Sequence, residues 1–528
     1  MKSIKNQAVD QKGFALPGLL SFMIAMVIIS MAVVILIDSN RSIVSNNANS
    51  QKAFNIAEAG VNYYLWHLSH NATDYKDGQA TPTTPDPSLG YGPYVHSYVD
   101  DNAKVEGTYT LWIKPQGGGS TLVDLRSIGQ VTGSNITRTI QAQLGAPSFA
   151  SYAVLSDSAL WFGNTETADG PIFSNQGVRM DGANNDTVSS ANASYTPSSA
   201  IGGDGSSHPG VWCSLSVTSP VDCATRSKDN WIYPAPAIDF NQVSGTLCKI
   251  KELAFAADPA TSALADQANA CSLTPTTRTA AYIPQRDSSA NSSRGYLIEL
   301  NTDGTYNLYT LNNEKDTLAS YTSALSPTLV ASNVSISSSG VIYVEDNVWV
   351  RSNPTYHGRV SIAAGRLATS VSANITVADD LAYSAKDGSD AVGLIAEGNV
   401  AIAPYAAPAS GTFTLEVDAA VIAANGNVWF PLRYKFASQK CTRGYVDNNQ
   451  LLNFYGSIAV RQIWTWSWLL GSPCGDAVAD PSTPGQYISG FKYNTTHYDH
   501  NLLYNPPPSF PVTSSYNILS WREVLTHP

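Results

Sequence analysis

The sequence predicts an α+β module at the N-terminus followed by a mostly-β region, and three observations carry this prediction. A long apolar run from Phe14 to Ile37 continues into an amphipathic pattern that ends near His70. Alternating polar and apolar segments with glycine-rich turns follow, and they favour an antiparallel sheet. Behind them, short apolar strands recur with Asn or Gly at their ends and without helices between them, which favours a right-handed parallel β-helix.

The apolar run has the length and composition of a membrane-spanning helix. It contains no charged residue, and at about 1.5 Å per residue it is long enough to cross a bilayer. The segment before it carries Lys2, Lys5 and Lys12 against Asp10. The positive-inside bias therefore keeps the N-terminus cytoplasmic and places the rest of the chain outside. An ordinary uncleaved signal anchor is the alternative interpretation.

The junction Lys12-Gly13-Phe14-Ala15-Leu16-Pro17 resembles the class III signal of type IV prepilins. The resemblance implies that a prepilin peptidase cleaves after Gly13 and methylates the new N-terminus at Phe14. It also implies that Pro17 and Gly18 belong to the helix through which subunits assemble. Gly18 stands where major pilins of this family carry a glutamate that is thought to pair with a neighbouring subunit. Its absence makes the chain more similar to minor pilins and pseudopilins.

The continuation of the helix and the segments behind it extend this resemblance. Residues 51–60 resemble the Ala-Phe-x-x-Ala-Glu-Ala-Gly segment of PilX-like minor pilins. Three alternating segments, 107–114, 122–133 and 136–144, predict an antiparallel meander, and the strand sequence around Ser127-Ile128-Gly129 resembles that of pilins. A long helix covering such a sheet is the pilin architecture, so the resemblance implies a pilin-like module.

An internal near-repeat indicates the β-helix. Segments 341–350, 393–402 and 421–430 align with Asn347, Asn399 and Asn427 at one corner, where an asparagine can adopt a left-handed backbone and bond its neighbours. A β-sandwich is the alternative. The predicted organisation is a leader at 1–13, the helix at 14–70, the sheet at 71–150, an opening rung at 151–185, a disulfide-containing side domain at 186–335, further rungs at 336–430, and a C-terminal cap at 431–528.

Composition and cysteine usage point to an exported protein. Charged residues make up only 13% and the net charge is -11, which argues against a basic surface for nucleic acid. Six cysteines suggest disulfides, and pairing of sequence neighbours is the simplest of about 15 connectivities. Free thiols in a reducing setting are the alternative. The predicted pairs are Cys213 with Cys223, Cys248 with Cys271, and Cys441 with Cys474.

The candidate ligand contacts are aromatic. Trp464, Trp466 and Trp468 alternate along the chain, and on one strand they would present three indoles on one face, where they could stack on sugars or a partner. Packing onto the end of the solenoid is the alternative. The carboxylates at 379–380 and 387–390 are interpreted as turn residues. We identify no catalytic constellation, cofactor site or metal site.

Together these observations predict a non-enzymatic minor type IV pilin or pilus-tip protein. The precursor would sit in the inner membrane, and the mature chain would join other pilins through the membrane assembly machinery. Its large extracellular region would serve adhesion to a host cell, surface or glycan, or initiate assembly. One alternative is a minor pseudopilin of type II secretion. Another is a membrane-anchored β-helix acting on glycans, which requires an acidic cleft with raised carboxylate pKa values.

Overall fold

The computed structural model describes most of the chain after residue 14. The described ranges are 15–71, 74–79, 84–116, 120–163, 166–199, 202–214, 230–286, 294–312, 327–403, 406, 414–431, 434–436, 439–440, 444–445, 451–471, 478–479, 485, 487–491, 493–513 and 516–524.

The helices are α1 (Ala15–His70), α2 (Gln242–Ala256) and α3 (Ser262–Ala265), with short 3-10 helices at Phe149–Ser151, Ala270–Ser272 and His500–Leu503. The strands up to α2 are β1 (Tyr91–Val99), β2 (Val105–Pro115), β3 (Leu122–Val131), β4 (Thr137–Gly145), β5 (Val154–Ser156), β6 (Leu160–Phe162), β7 (Thr167–Asp169), β8 (Ile172–Ser174), β9 (Val178–Met180), β10 (Ala183–Asn184), β11 (Val188–Ser190), β12 (Ser194–Tyr195), β13 (His208–Pro209), β14 (Val211–Trp212) and β15 (Trp231–Ile232).

The strands after α3 are β16 (Tyr282–Ile283), β17 (Gly295–Asn301), β18 (Thr305–Leu311), β19 (Pro327–Ser335), β20 (Val341–Val344), β21 (Val348–Asn353), β22 (Arg359–Ala364), β23 (Ile375–Val377), β24 (Ala391–Ala396), β25 (Val400–Ile402), β26 (Thr414–Ala423), β27 (Val428–Trp429), β28 (Tyr434–Phe436), β29 (Gln439–Lys440), β30 (Gly444–Tyr445), β31 (Leu451–Val460), β32 (Trp464–Thr465), β33 (Ser467–Leu470), β34 (Val478–Ala479), β35 (Tyr487–Phe491), β36 (Tyr493–Tyr498) and β37 (Asn517–Val524).

The chain forms two compact units. The first comprises Met1–Lys114, Asp124–Leu144 and Ile518–Pro528, and the second comprises Pro115–Val123 and Gly145–Asn517.

The first unit packs one face of α1 on a sheet. The sheet order is β1-β2-β3-β4-β37, with β1 antiparallel to β2. Every second residue of β3 is buried, as expected for a strand with one covered face. The helix contributes buried residues at intervals of three and four, which form one stripe. These are Ala53, Ile56, Ala57, Val61, Tyr64 and Leu68.

Glycines allow the helix and the sheet to approach closely. A Cβ atom at Gly129 in β3 would collide with backbone atoms of Ala53 and Ala57, and one at Gly60 in α1 would collide with the Ser127 hydroxyl. The segments that resemble pilin sequences therefore meet at this contact. Gly129 is explained by its proximity to the helix backbone, and Gly60 by its proximity to the Ser127 and Tyr109 side chains.

The last strand of this sheet differs from its predicted position. β37 belongs to the predicted C-terminal cap at 431–528, yet it lies beside β4 in the sheet of the first unit. The two strands are separated by more than 370 residues, and a local hydrophobic pattern contains no information about such a distant partner.

The second unit is built mainly from two ladders of parallel strands. What we call the first sheet has the order β15-β11-β8-β5-β31-β26-β24-β22-β20-β16, and the second sheet has the order β19-β18-β17-β21-β23-β25-β27-β32. From β20 to β27 the chain alternates between these sheets, and each strand pairs in parallel with the strand one turn later. β31 and β32 extend both ladders in the same way.

Both faces of the first sheet are buried. Inward residues such as Ile342, Ile362 and Leu394 lie in one cluster with residues of the second sheet. Outward residues such as Tyr343 and Ile395 pack with the apolar face of α2. Burial on both faces explains why these strands are continuous apolar runs rather than alternating ones.

The early strands do not stack at their predicted positions. β5, in the predicted opening rung, pairs with β31 near the end of the chain, and β8 and β11 follow outward from it. Residues 186–335, the predicted side domain, supply β11, β15 and β16 to the first sheet and β17, β18 and β19 to the second. Strands of two or three residues have no measurable periodicity, so their partners could not be deduced from pattern. β31, in the predicted cap, lies in the middle of the first sheet.

The corner between the sheets carries a ladder of asparagines. The backbone N and Nδ2 of Asn374 donate to Asn347 Oδ1 at 3.0 and 3.3 Å, and Asn399 donates in the same way to Asn374 Oδ1 at 2.8 and 3.0 Å. Asn427 donates to Asn399 Oδ1 at 2.9 and 3.1 Å. The predicted shared corner of Asn347, Asn399 and Asn427 is present. The near-repeat did not include Asn374, because a longer turn precedes it.

Candidate functional site

The helix α1 consists of two parts with different surroundings. Every residue from Leu16 to Ala48 is exposed, whereas the stripe that begins at Ala53 is buried against the sheet. By length and composition the exposed part can cross a membrane, and none of its most apolar window is buried. Apolar side chains in such a continuous exposed surface are stabilised only by an apolar surrounding outside the chain.

Of the predicted processing and assembly residues near the start of α1, the structure describes Pro17 and Gly18. Gly13 and Phe14 lie outside the described residues. Pro17 lies in the first described turn, where a missing N–H group does not break the helix, and its carbonyl accepts a bond from Ser21 Oγ at 2.7 Å. Gly18 has no atom within 4 Å of the position of a Cβ. No contact within the described chain therefore requires glycine at this position.

The C-terminal end of α1 is fixed by a polar cluster that the sequence analysis missed. Tyr63 donates to Asp77 Oδ1 at 3.0 Å, and the His96 ring bonds Asp77 Oδ2 at 2.7 Å. Asp74 accepts bonds from the backbone N–H groups of Lys76 and Gly78 at 2.9 and 2.8 Å and from the His67 ring at 3.1 Å.

These bonds control the ionisation of Asp74. Burial by itself would raise its pKa, but the hydrogen bonds from Lys76, Gly78 and His67 outweigh burial and hold the pKa below its usual value. The ionised carboxylate is therefore favoured in the folded chain. It anchors the described loop at 74–79 to the helix.

A second contact connects α1 to β37. Arg138 of β4 forms an ion pair with Glu523 and donates to Ser50 Oγ at 2.6 Å, and its guanidinium lies 5.5 Å from the centre of the Phe54 ring. The Trp521 ring lies 6.0 Å from the same ring. The hydrogen bond to Arg138 lowers the pKa of Glu523. β37 therefore contacts α1 from the edge of the sheet.

The cysteines are partly described. A disulfide joins Cys248 in α2 to Cys271, which is one of the predicted pairs. Cys213 is also disulfide-bonded, and its predicted partner Cys223 lies outside the described residues. Cys441 and Cys474 lie outside them as well. In the described part of the chain, the one group with metal-ligand spacing is Cys248, Glu252 and Cys271, and the disulfide occupies both of its sulfurs.

The three tryptophans do not form an exposed row. β32 ends before Trp466 and β33 begins after it, so the segment does not remain a single strand. Trp466 is only 4% exposed and lies 5.7 Å from Phe454 between ring centres. Trp464 lies 5.1 Å from Phe162, and Trp468 Nε1 donates to the Phe430 carbonyl at 2.8 Å. These contacts correspond to the packing alternative.

A buried charge cluster connects α2 to the first sheet. Lys251 forms an ion pair with Glu345 and donates to the Cys271 carbonyl at 3.0 Å, and Tyr282 donates to Glu345 Oε2 at 2.6 Å. The side chains of Lys251 and Glu345 are 0% and 2% exposed. Burial lowers the pKa of Lys251, although the partner carboxylate opposes this shift. No local motif marks this cluster in the sequence.

Asp380 and Asp390, two of the carboxylates that the sequence analysis interprets as turn residues, accept hydrogen bonds from backbone N–H groups. Asp390 accepts bonds from Gly358 N and Ala385 N, both at 2.8 Å, and its Oδ1 lies 2.7 Å from His357 Nδ1. Asp380 accepts a bond from Glu416 N at 2.9 Å. Burial raises the pKa of Asp380.

Comparison with known proteins gives matches of low similarity among solved structures alone. No protein-family model matches the chain, and no curated protein matches it. Among solved structures, the chain is similar to the competence-associated pilin ComZ from Thermus thermophilus, with 13% identity and a TM-score of 0.25. The match covers 91% of this chain and 98% of that chain. With a TM-score this low, the similarity does not establish a common fold.

Proposed function

We propose that the protein is a minor type IV pilin or pilus-tip subunit and that α1 is its assembly helix. The observation that carries this proposal is the division of α1. Leu16–Ala48 has no partner in the described chain, whereas the stripe from Ala53 to Leu68 packs on a sheet closed by β37. Such a helix is suited to sit first in a membrane and then among the helices of other pilins.

The proposal includes the processing of the precursor. A prepilin peptidase would cleave after Gly13 in the inner membrane and methylate Phe14, and the PilX-like subunit would then move to the cell surface as part of a fibre. The support for these steps is the sequence around Gly13 and the composition of the apolar run. Gly18 lacks the carboxylate of major pilins, which favours a minor subunit.

We also propose that the second unit is a right-handed parallel β-helix exposed on the fibre. The alternation of the chain between two parallel ladders and the asparagine ladder support this architecture. In the proposal this unit is not an enzyme. It binds a host-cell, surface or glycan ligand, or initiates assembly. Hydrogen bonding of Asp380 and Asp390 to backbone groups is consistent with structural roles for the carboxylates.

Processing and assembly can be tested in one system. The chain would be co-expressed with a prepilin peptidase and pilus assembly components, and the wild type compared with Gly13→Ala. We expect a faster-migrating product for the wild type alone and its recovery in sheared surface fibres. Equal mobility of the two forms would contradict processing.

The location of the processed product distinguishes the remaining alternatives. Processed protein that is missing from fibres but required for secretion of type II substrates would support the pseudopilin alternative. Glycan hydrolysis by the purified protein would contradict the non-enzymatic role.

A further inference from the structure

The second unit presents a further set of parallel strands beside its two main sheets. The N-terminal half of β26 pairs with that of β31, β31 pairs with β36, and β36 pairs with β7, all in parallel. Alternate residues of these strands lie in the core of the unit, namely Leu415, Val417, Leu452, Phe454 and Ala168. The residues between them face outward, and we call the surface that they form the side face.

One column of the side face is made of hydrogen-bonded polar side chains. Glu416 lies opposite Asn453, and Asn453 lies opposite Thr495. Thr495 Oγ1 donates to Asn453 Oδ1 at 2.8 Å, and Asn453 Nδ2 donates to Glu416 Oε2 at 2.7 Å. These bonds fix the orientation of the three side chains, and they leave the second Nδ2 proton of Asn453 for another acceptor.

The second column contains charged and aromatic side chains. Its members follow one another in the strand register, in the order Asp418, Tyr455, His497 and Asp169. Lys386 Nζ donates to Asp418 Oδ1 at 2.9 Å and lies 4.6 Å from the centre of the Tyr455 ring. The His497 ring bonds Asp169 Oδ2 at 3.1 Å. The side chains of Lys386, His497 and Asp169 are 42%, 51% and 44% exposed, so this column is both ordered and accessible.

The charge and polarity of the side face restrict its ligand. The carboxylates of the two columns outnumber the ammonium group of Lys386 and the imidazole of His497, which disfavours ligands with phosphate or carboxylate groups. Among the described residues of β7, β26, β31 and β36, no large apolar side chain is exposed. The face therefore lacks the apolar anchors that are typical of the centre of a protein interface.

The spacing of the columns matches a periodic polar ligand. Neighbouring strands lie about 4.8 Å apart, which is close to the length of one sugar unit in an extended glycan chain. Three such spacings separate β26 from β7, so the face accommodates about four sugar units. Sugar hydroxyls both donate and accept hydrogen bonds, as the side chains of the two columns require.

We propose that the side face binds an uncharged, extended 1,4-linked glycan, which lies across β26, β31, β36 and β7 with one sugar unit on each strand. This inference rests on the proposed extracellular role of the second unit, and it names the class of ligand and the residues that contact it. Asn453 and His497 bond the sugar hydroxyls from the two columns.

The test is isothermal titration calorimetry with the purified full chain in detergent. The probes are two uncharged 1,4-linked hexamers, cellohexaose and chitohexaose, and an oligogalacturonate of the same length is the acidic control. We expect binding of at least one uncharged hexamer, and weaker binding of the acidic one by about tenfold because like charges repel. Failure of both uncharged hexamers to bind would overturn the proposal, as would equally tight binding of the acidic hexamer.

Two variants test the location of the site. Asn453→Ala shortens the first column and His497→Ala the second, and each should weaken binding about threefold to tenfold through the loss of one hydrogen bond. The matched control is Asn425→Ala, which lies beyond the other end of β26 and should bind like the wild type. Urea unfolding of each variant separates lost binding from lost folding, and the half-exposed His497 can be removed with little effect on the core.

Equal affinity of the wild type and both column variants would place the glycan elsewhere and overturn the proposal. Calorimetry with the purified chain requires neither processing at Gly13 nor fibre assembly. Its failure is therefore distinguishable from failure of the proposed pilin function.

Discussion

Tyr282 and Glu345 form a buried hydrogen bond of 2.6 Å beneath α2, and the other oxygen of the same carboxylate holds the Lys251 ammonium. Lys251 is the buried charged residue of an otherwise apolar helix face that includes Val243 and Leu247. The charge cluster therefore fixes where α2 sits on the first sheet, while the apolar residues supply most of the burial.

Replacement of Lys251 by methionine should destabilise the protein strongly. Glu345 would remain in an apolar environment without its counter-charge, and loss of one partner of a buried ion pair costs about 3–5 kcal/mol. The double variant Lys251→Met with Glu345→Met should recover most of that loss, because no unpaired charge remains. Urea unfolding of the full chain in detergent measures both. A single variant as stable as the wild type would show that the pair contributes little to the position of α2.

The contact between α1 and its sheet should be sensitive to one added methyl group. Gly129→Ala would push its Cβ into the backbone of Ala53 and Ala57, and overpacking of this kind costs about 1–3 kcal/mol or more. The control is Gly18→Ala, where nothing lies within 4 Å of the new atom and helix propensity improves by about 1 kcal/mol. Thermal unfolding monitored by circular dichroism compares the two. Equal melting temperatures would mean that the helix does not approach β3 as closely as described.

The parts of the fold that the sequence predicts are those encoded by nearby residues. α1 follows from an apolar run and a three-four spacing, the corner of Asn347, Asn399 and Asn427 from a near-repeat, and the Cys248–Cys271 disulfide from the order of the cysteines. Each of these signals can be recognised without knowledge of distant contacts.

What the sequence does not predict depends on distant partners. β5 pairs with β31 across about 300 residues, and Lys251 meets Glu345 across 94. Neither contact has a periodic or compositional signal. The tryptophan row shows the same limitation, because alternation indicates a shared face only if the strand continues, and here it ends at Thr465.

The cluster at Asp74 should make the free energy of unfolding depend on pH in the acid range. Because the folded pKa of Asp74 lies below its ordinary value, its contribution is present above the unfolded pKa near 4 and is lost as pH falls through the folded pKa. Asp74→Asn should therefore destabilise the protein at pH 7 by about 1–2 kcal/mol, since the charge-assisted bonds from Lys76 and Gly78 are weakened. The difference from the wild type should shrink below about pH 4. Unfolding at pH 7 and pH 3 tests this, and a difference that stays constant between them would exclude the ionised carboxylate as its source.

The stability of the protein should depend more on the asparagine side chains of the ladder than on neighbouring side chains of the same corner. In Asn399→Ala, the backbone N and Nδ2 of Asn427 lose their acceptor, and an unsatisfied buried polar group costs about 1–3 kcal/mol. Asn425 lies beside Asn427 in the connection between β26 and β27, and it accepts a bond from Gln462 through its backbone carbonyl rather than its side chain. Asn425→Ala should therefore change stability by less than about 0.5 kcal/mol. Denaturant titration of the two variants gives the comparison. If both lost the same stability, the amide ladder would not be what holds successive turns in register, and apolar packing between the two sheets would have to account for it.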